Sequence, residues 1–200
     1  MKKKTQAFSL IELLVVIALI GVISAYGIPG LRNFTTNTGL TNNTNDLVAS
    51  LQFARSAAIR LQDKVVVCSS DTSTTATPRC GSSLVPWHDG WIVFHDASHT
   101  GSFDPNASPP DELLKVQPGV AINGVTITPV DLGSTTTNIA NYVSFGPPAG
   151  EPAVANGASQ SGIFRVCITG ETTKQRGVLI NFSGRISSTR DAAVINSPCP

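Results

Sequence analysis

Glu12 is the residue of this sequence whose position most needs a chemical reason. It is a carboxylate inside an apolar run, Phe8 to Ile28, whose other clearly polar members are Ser9 and Ser24, with amphipathic Tyr26 near the end. A charged side chain within a membrane-spanning helix costs about 2.5–3.5 kcal/mol on insertion scales, so it marks a function. His88, His95 and His99 lie close in sequence to Asp89, Asp96 and Asp104, a set that offers imidazole and carboxylate for metal binding or proton transfer. Their neighbours are turn formers and their spacing fits no ligand or acid–base template, so they read as exposed turn residues. Asp96, Asp104, Asp111 and Glu112 lack EF-hand spacing and read as solvated loop acids. Gly157-Ala158-Ser159-Gln160-Ser161 lacks the last glycine of a nucleophile elbow. Trp87 and Trp91 read as core anchors. No catalytic constellation, cofactor or metal site is expected, and the chain reads as a non-enzyme.

The composition agrees with an exported, turn-rich domain. The 200 residues carry a net charge of +1, with 14% charged residues, 17 Gly and 13 Pro. So little net charge announces neither nucleic acid nor a membrane surface as partner. The four cysteines are Cys68, Cys80, Cys167 and Cys199. An even count in an exported chain favours two disulfides, and three connectivities are open. Cys68–Cys80, closing a Ser/Thr-rich loop, with Cys167–Cys199, stapling the C-terminal end, is the preferred set. Four free thiols are the plainer alternative. Zinc is disfavoured because no CxxC pair exists.

The N-terminal segment opens Met1-Lys2-Lys3-Lys4-Thr5-Gln6-Ala7 and then turns apolar. A helix from Phe8 to Ile28 reaches roughly 30 Å, the thickness of a hydrocarbon core. Three lysines without an acid place its start on the cytoplasmic side. Three readings compete: an ordinary signal peptide with Ala25 as a cut site, a plain anchor, and a leader that is processed ahead of the apolar run. Glu12 separates them, since an ordinary signal peptide gains nothing from a buried acid.

The run Ala7-Phe8-Ser9-Leu10-Ile11-Glu12-Leu13-Leu14-Val15-Val16 resembles the class III leader of type IV pilins and type II secretion pseudopilins. The resemblance implies that prepilin peptidase cuts between Ala7 and Phe8 and methylates the amino group of Phe8. Glu12 is then the fifth mature residue, where the family has its acid, and Pro29 falls where many pilins have a helix-kinking proline. The family usually has glycine before the cut, where this chain has Ala7. In a filament Glu12 would pair with the new amine of a neighbouring subunit, because an opposite charge stabilises an acid in apolar surroundings. The bland alternative leaves Glu12 uncharged or facing another helix.

The elements beyond the anchor follow from periodicity. Gly27, Pro29 and Gly30 weaken or bend the helix, and Leu31 to Asn45, rich in Thr and Asn, has poor helix propensity. A second, amphipathic helix is expected over Asp46 to Gln62, capped by Asp46, with Leu47, Leu51, Ala54, Ala58 and Leu61 on one face. Strands are expected at Lys64–Cys68, Trp91–Phe94, Val120–Thr128, Tyr142–Phe145, Gly162–Thr169, Gly177–Phe182 and Arg185–Ser187. Asp104–Pro118 and Gly146–Ser161 read as long surface loops. The fold class is α+β: a long N-terminal transmembrane helix, and a second helix packed on a mostly antiparallel sheet.

Leu51-Gln52-Phe53-Ala54-Arg55-Ser56-Ala57-Ala58-Ile59, Trp87-His88-Asp89-Gly90-Trp91-Ile92-Val93-Phe94-His95-Asp96 and Gly162 to Arg185 resemble segments of the GspH/FimT group of minor pilins. The resemblance implies a leader (1–7), a transmembrane and filament-core helix (8–31) and a periplasmic head (32–200). It implies a single-pass inner-membrane protein that joins a pilus or pseudopilus. Its partners would be prepilin peptidase and other minor and major pilins or pseudopilins. A type IV pilus minor pilin that helps start assembly is the leading reading, and a type II secretion pseudopilin the runner-up. A third reading is a DNA receptor for natural transformation, since some FimT-like pilins bind DNA through a glycine-arginine motif. Gly184-Arg185 keeps the first arginine of that motif but Ser187 replaces the second; Arg190 is a candidate substitute, with Lys174 and Arg176 nearby in sequence. The ordinary alternative is a solvated hairpin rim.

Overall fold

The computed structural model describes residues 9–81, 85–120, 124–130, 139–153, 159–191 and 199, and within these the side chains other than those of 26–33 and 171–173. The chain divides into two compact units, Met1–Thr38 and Gly39–Pro200. A single helix, α1, is assigned to Leu10–Leu61. Both expected helical segments are therefore present, but the Thr/Asn-rich stretch between them is helical too. Asp46 is an interior residue of α1 and not a cap. Tertiary burial overrides propensity at this point. Leu40, Thr44 and Leu47 are buried at helical spacing, and the Thr44 hydroxyl donates to the Leu40 carbonyl at 2.7 Å, which meets its own polar demand.

In the second unit α1 buries Leu40, Leu47, Leu51, Ala54 and Ala58. Leu61, expected on that face, is 38% exposed. The strands are β1 (Val65–Ser69), β2 (Gly90–His95), β3 (Glu112–Pro118), β4 (Val125–Val130), β5 (Tyr142–Gly146), β6 (Glu151–Pro152), β7 (Gly162–Ile168), β8 (Glu171–Ile180) and β9 (Ile186–Thr189), with a 3-10 turn at Trp87–Asp89. They form two sheets in the orders β3-β2-β1-β5-β6 and β4-β7-β8-β9. Every recorded pairing is antiparallel. The expected loop Asp104–Pro118 is corrected: its second half is β3, paired along β2 with a bulge at Val93/Phe94. Leu114 of that strand packs on the main core. The expected loop Gly146–Ser161 contains the two-residue strand β6.

Alternation along the strands divides the core. Val65, Val67, Trp91, Val93, Val143 and Phe145 of the first sheet share one cluster with α1 and with Phe164, Val166, Val178 and Ile180 of the second. On the opposite face of the first sheet Val66, Cys68, Ile92 and Phe94 form a smaller cluster, covered by Cys80, Phe103, Leu113 and Tyr142. Loop residues Cys80 and Phe103 thus help cover one face as a helix covers the other, and β1 is buried throughout. Trp87 packs edge-on against Phe164 with ring centroids 4.6 Å apart, and its indole N–H donates to the Ala140 carbonyl at 2.7 Å. Both tryptophans are core anchors, 1% exposed each. The disulfides are Cys68–Cys80 and Cys167–Cys199.

Candidate functional site

The first unit presents an apolar helix surface. Leu10, Ile11, Leu13, Leu14, Val15, Val16, Ile17, Leu19, Ile20, Val22 and Ile23 are all exposed, Leu10 and Ile23 at 77% and 70%. The side chains lie all round the helix, so one packed partner on one side would not cover them. Among the described residues, no helix is long and apolar enough to cross a membrane. The described side chains of the run stop at Ala25, and the sequence continues it to Ile28.

Glu12 sits in the first turn of α1, where its backbone N–H donates to Ser9 Oγ at 3.3 Å. The Leu13 N–H meets the Ser9 carbonyl at 3.3 Å. Ser9 is therefore the N-cap, and Ser9-x-x-Glu12 has the spacing of a capping box. A carboxylate in the first turn also faces the positive end of the helix dipole. This second reason for an acid at position 12 was legible as a serine three residues before a glutamate. Ala7 and Phe8, the expected cut site and methylation site, lie outside the described residues. Pro29 falls inside α1 and does not end it.

The head separates the histidine–aspartate group into unlike parts. Asp63, at the end of α1, accepts hydrogen bonds from His95 Nε2 at 3.0 Å and His99 Nε2 at 2.6 Å. Partial burial opposes ionisation of Asp63. The bonds from His99 and His95 and the Lys64 N–H outweigh it and hold the carboxyl down to about 2. Asp96 is buried and accepts the Thr100 and Gly101 N–H groups at 3.0 and 2.9 Å. Asp111, also buried, accepts those of Ser98 and Asp104 at 3.0 and 2.9 Å. These two are loop organisers, not the solvated acids expected. His88 stands apart, its Nδ1 accepting the Ile127 N–H at 3.4 Å. Among the described residues, no group of three or more His, Cys, Asp or Glu is arranged to hold a metal ion.

The four basic residues singled out in the sequence also divide. Arg185 is exposed at the β8–β9 turn and lines a groove of about 370 Å³ with Gln52, Arg55 and Ile186. Arg55 positions that turn, its Nη2 donating to the carbonyls of Ala149 and Ser183 at 3.3 Å each. At the other end of the hairpin Arg176 Nη2 donates to Thr41 Oγ1 at 2.9 Å. Gly177 pairs with Thr189, so the next pair in register is Arg176 with Arg190. Burial, and then the charge of Arg190, lower the pKa of Arg176. Lys174 lies two residues along β8 from Arg176. Arg176 and Arg190 are thus neighbours, while Lys174 lies in the stretch where the β7–β8 register shifts and Arg185 lies at the turn.

Residues 43–184 match the family model of the type II transport protein GspH, and residues 2–27 match the prokaryotic N-terminal methylation motif. Two curated fimbrial proteins of Pseudomonas aeruginosa are each 36% identical over 73 residues, which is 36% of this chain and 46% of each relative. The chain thus spans about half the length of the curated relatives it matches. Two crystal forms of the type IV minor pilin FimU from P. aeruginosa PAO1 superpose with TM-scores of 0.53 and 0.50 at 20% and 19% identity. They cover 77% and 74% of this chain and 90% and 91% of FimU. At that identity the likeness concerns the fold. With a methylation motif over the segment that carries Glu12 and a family model over most of the head, this chain belongs to the GspH family of the type IV pilin and pseudopilin superfamily.

Proposed function

We propose that this protein is a minor pilin of a type IV pilus, a structural subunit that primes assembly after its leader is removed. The observation that carries the reading is the apolar surface of α1 between Leu10 and Ile23, exposed all round and headed by an acid. Such a surface is covered by lipid before assembly and by neighbouring helices after it. Cleavage between Ala7 and Phe8 leaves a cationic amine four residues ahead of Glu12. Pairing of Glu12 with the amine of an adjacent subunit would set the register of helix packing, and methylation of Phe8 would leave that amine positive. The head would stay in the periplasm, where both disulfides persist. Mass spectrometry of the protein from cells tests this: the expected N-terminus is methylated Phe8, and a chain that keeps Met1 or starts beyond Tyr26 refutes it.

A second reading is a type II secretion pseudopilin, favoured by the description of the matching family model. Deleting the gene separates the two. Loss of surface pili with export intact supports the pilus, and the reverse supports secretion.

A further inference from the structure

We propose that the open edge of β9 and the stripe of α1 beside it form a docking groove for an extended, acidic segment of a partner protein, added to the second sheet as a further strand. The inference uses the head unit alone and is independent of which assembly the protein joins.

The groove has Gln52, Arg55, Ser56 and Ile59 on one wall and Arg185 and Ile186 on the other. The four helix residues are spaced i, i+3, i+4, i+7, so they form one stripe along α1. The β8–β9 ladder decides which backbone groups of β9 are free. The Asn181 N–H donates to the Arg185 carbonyl at 3.0 Å, and hydrogen-bonded pairs alternate from there. Leu179–Ser187 and Gly177–Thr189 are therefore bonded pairs, and the N–H and C=O groups of Ile186 and Ser188 point away from β8. Among the described residues these outward groups have no partner. The opposite edge of the same sheet is closed. Alternation from the bond between the Thr169 N–H and the Gly124 carbonyl turns Val125, Ile127 and Pro129 of β4 outward. His88 Nδ1 takes the Ile127 N–H at 3.4 Å, and Pro129 has no N–H to offer. Proteins blunt the edges they keep solitary. β4 carries such blunting along its backbone and β9 does not.

Charge and backbone chemistry select the occupant. Two arginines and no acid line the groove. Neither arginine is within ion-pair distance of a described acid, since the ion pairs among the described residues are those of Asp63 with His95 and His99. Arg55 uses Nη2 on the carbonyls of Ala149 and Ser183, and its Nε is buried without a partner. Arg185 is exposed. Glu151, next to the Gly150 that abuts Arg55, is exposed and is the one acid to set against them. The outward groups of β9 then separate peptide from nucleic acid. Each outward N–H is accompanied by a carbonyl. A phosphodiester chain is all acceptor and would set its charge against the Ile186 and Ser188 carbonyls. A peptide backbone supplies both donor and acceptor. Side chains opposite each other on neighbouring strands share a face. A docked strand therefore meets Arg185 with one residue, and meets Ile186 and the 40% exposed Ile59 with the next. Acidic and apolar residues alternate in such an occupant.

The test uses the full chain in detergent micelles and a fluorescein-labelled peptide of about eight residues that alternates Glu with Val. Fluorescence anisotropy reports binding, and amide hydrogen exchange reports its mode. Binding is expected to weaken with salt and to slow exchange at Ile186 and Ser188, which a purely ionic contact would leave unchanged. Arg185→Glu lowers affinity about tenfold or more. A peptide with Lys in place of Glu binds that variant better than it binds the unaltered protein. Ser188→Pro removes one outward N–H while sparing the ladder, and lowers affinity several-fold. Arg185→Glu changes an exposed side chain, so it keeps the test decisive where Ser188→Pro disturbs the strand. Absent binding, binding unchanged in Arg185→Glu, or binding without protection at Ile186 and Ser188 overturns the proposal. Protection of those two amides by self-association in the absence of peptide assigns the edge to a second copy and also overturns it. So does single-stranded oligonucleotide binding through Arg185 where the peptide fails to bind, which assigns the groove to nucleic acid.

Discussion

Replacing Gly184 with alanine tests how the β8–β9 turn is held. Gly184 closes that turn, its N–H donating to the Asn181 carbonyl at 2.8 Å, and has φ +74°. A Cβ there would meet the Gly150 carbonyl oxygen well inside van der Waals contact, and would stand 3.1 Å from Arg55 Nε. Gly170 is the internal control. It has φ +82°, and nothing lies within 4 Å of its added Cβ. Gly170→Ala therefore carries only the left-handed backbone cost, about 1 kcal/mol. Gly184→Ala adds a clash against backbone that cannot rotate away, for a total of about 3 kcal/mol. For a chain of this size 1 kcal/mol shifts Tm by roughly 2–4 °C. Thermal unfolding in detergent micelles should show a drop of about 6–12 °C for Gly184→Ala and about 2–4 °C for Gly170→Ala. Adding Arg55→Ala to Gly184→Ala should restore little, because the obstructing group is the Gly150 carbonyl and not the flexible arginine. Equal drops for the two glycines, or full rescue by Arg55→Ala, would refute the account of two turns pressed together around Arg55.

Two further substitutions probe the head. Asp63 has a carboxyl held down to about 2, so its contribution to stability is present above the ordinary carboxylate value of 3.8 and is lost as pH falls from there through about 2. With the side chain about a third exposed, that contribution is on the order of 1 kcal/mol, and denaturation of Asp63→Asn should show a flatter stability profile between about pH 4 and pH 2. Gln160 is fully buried, its Oε1 accepting the Ser144 N–H at 2.8 Å and its Nε2 donating to the Tyr142 carbonyl at 3.0 Å. Its amide serves β5 as a further strand would, so Gln160→Ala should cost about 2–3 kcal/mol in urea unfolding, and Gln160→Glu more, because it removes the donor and buries a charge.

The strands that read most clearly in the sequence were those with dense apolar content. Trp91–Phe94 and Gly162–Thr169 carry side chains that must be buried on both faces, and they fall in β2 and β7. β3 was hidden because Glu112-Leu113-Leu114-Lys115-Val116-Gln117 mixes charge with apolar residues without alternating. The structure gives each an employer: Leu113 covers the outer cluster, Leu114 the main core, and Lys115 Nζ donates to Ser50 Oγ of α1 at 3.0 Å. The helix through Thr35–Asn45 was hidden for the converse reason. Its residues are weak helix formers singly, and only the buried positions 40, 44 and 47 reveal a face.

The basic residues show where sequence distance misleads. Arg185 and Arg190 are five positions apart and look like one motif, while Arg176 and Arg190 are fourteen apart and look unrelated. A hairpin inverts that ranking. Along β9 the first pair is separated by the length of the strand, and across the ladder the second pair is adjacent. The inversion was recoverable once Ser183-Gly184 was read as the turn, since Arg176 and Arg190 lie seven residues either side of Ser183. The same fold back of the chain puts the turn before Arg185 within reach of Arg55, and puts Arg176 against Thr41 of α1. The two ends of one hairpin therefore have separate surroundings that sequence proximity had merged. A substitution at either end should leave the other's behaviour unchanged, because residues this far apart without shared partners act additively.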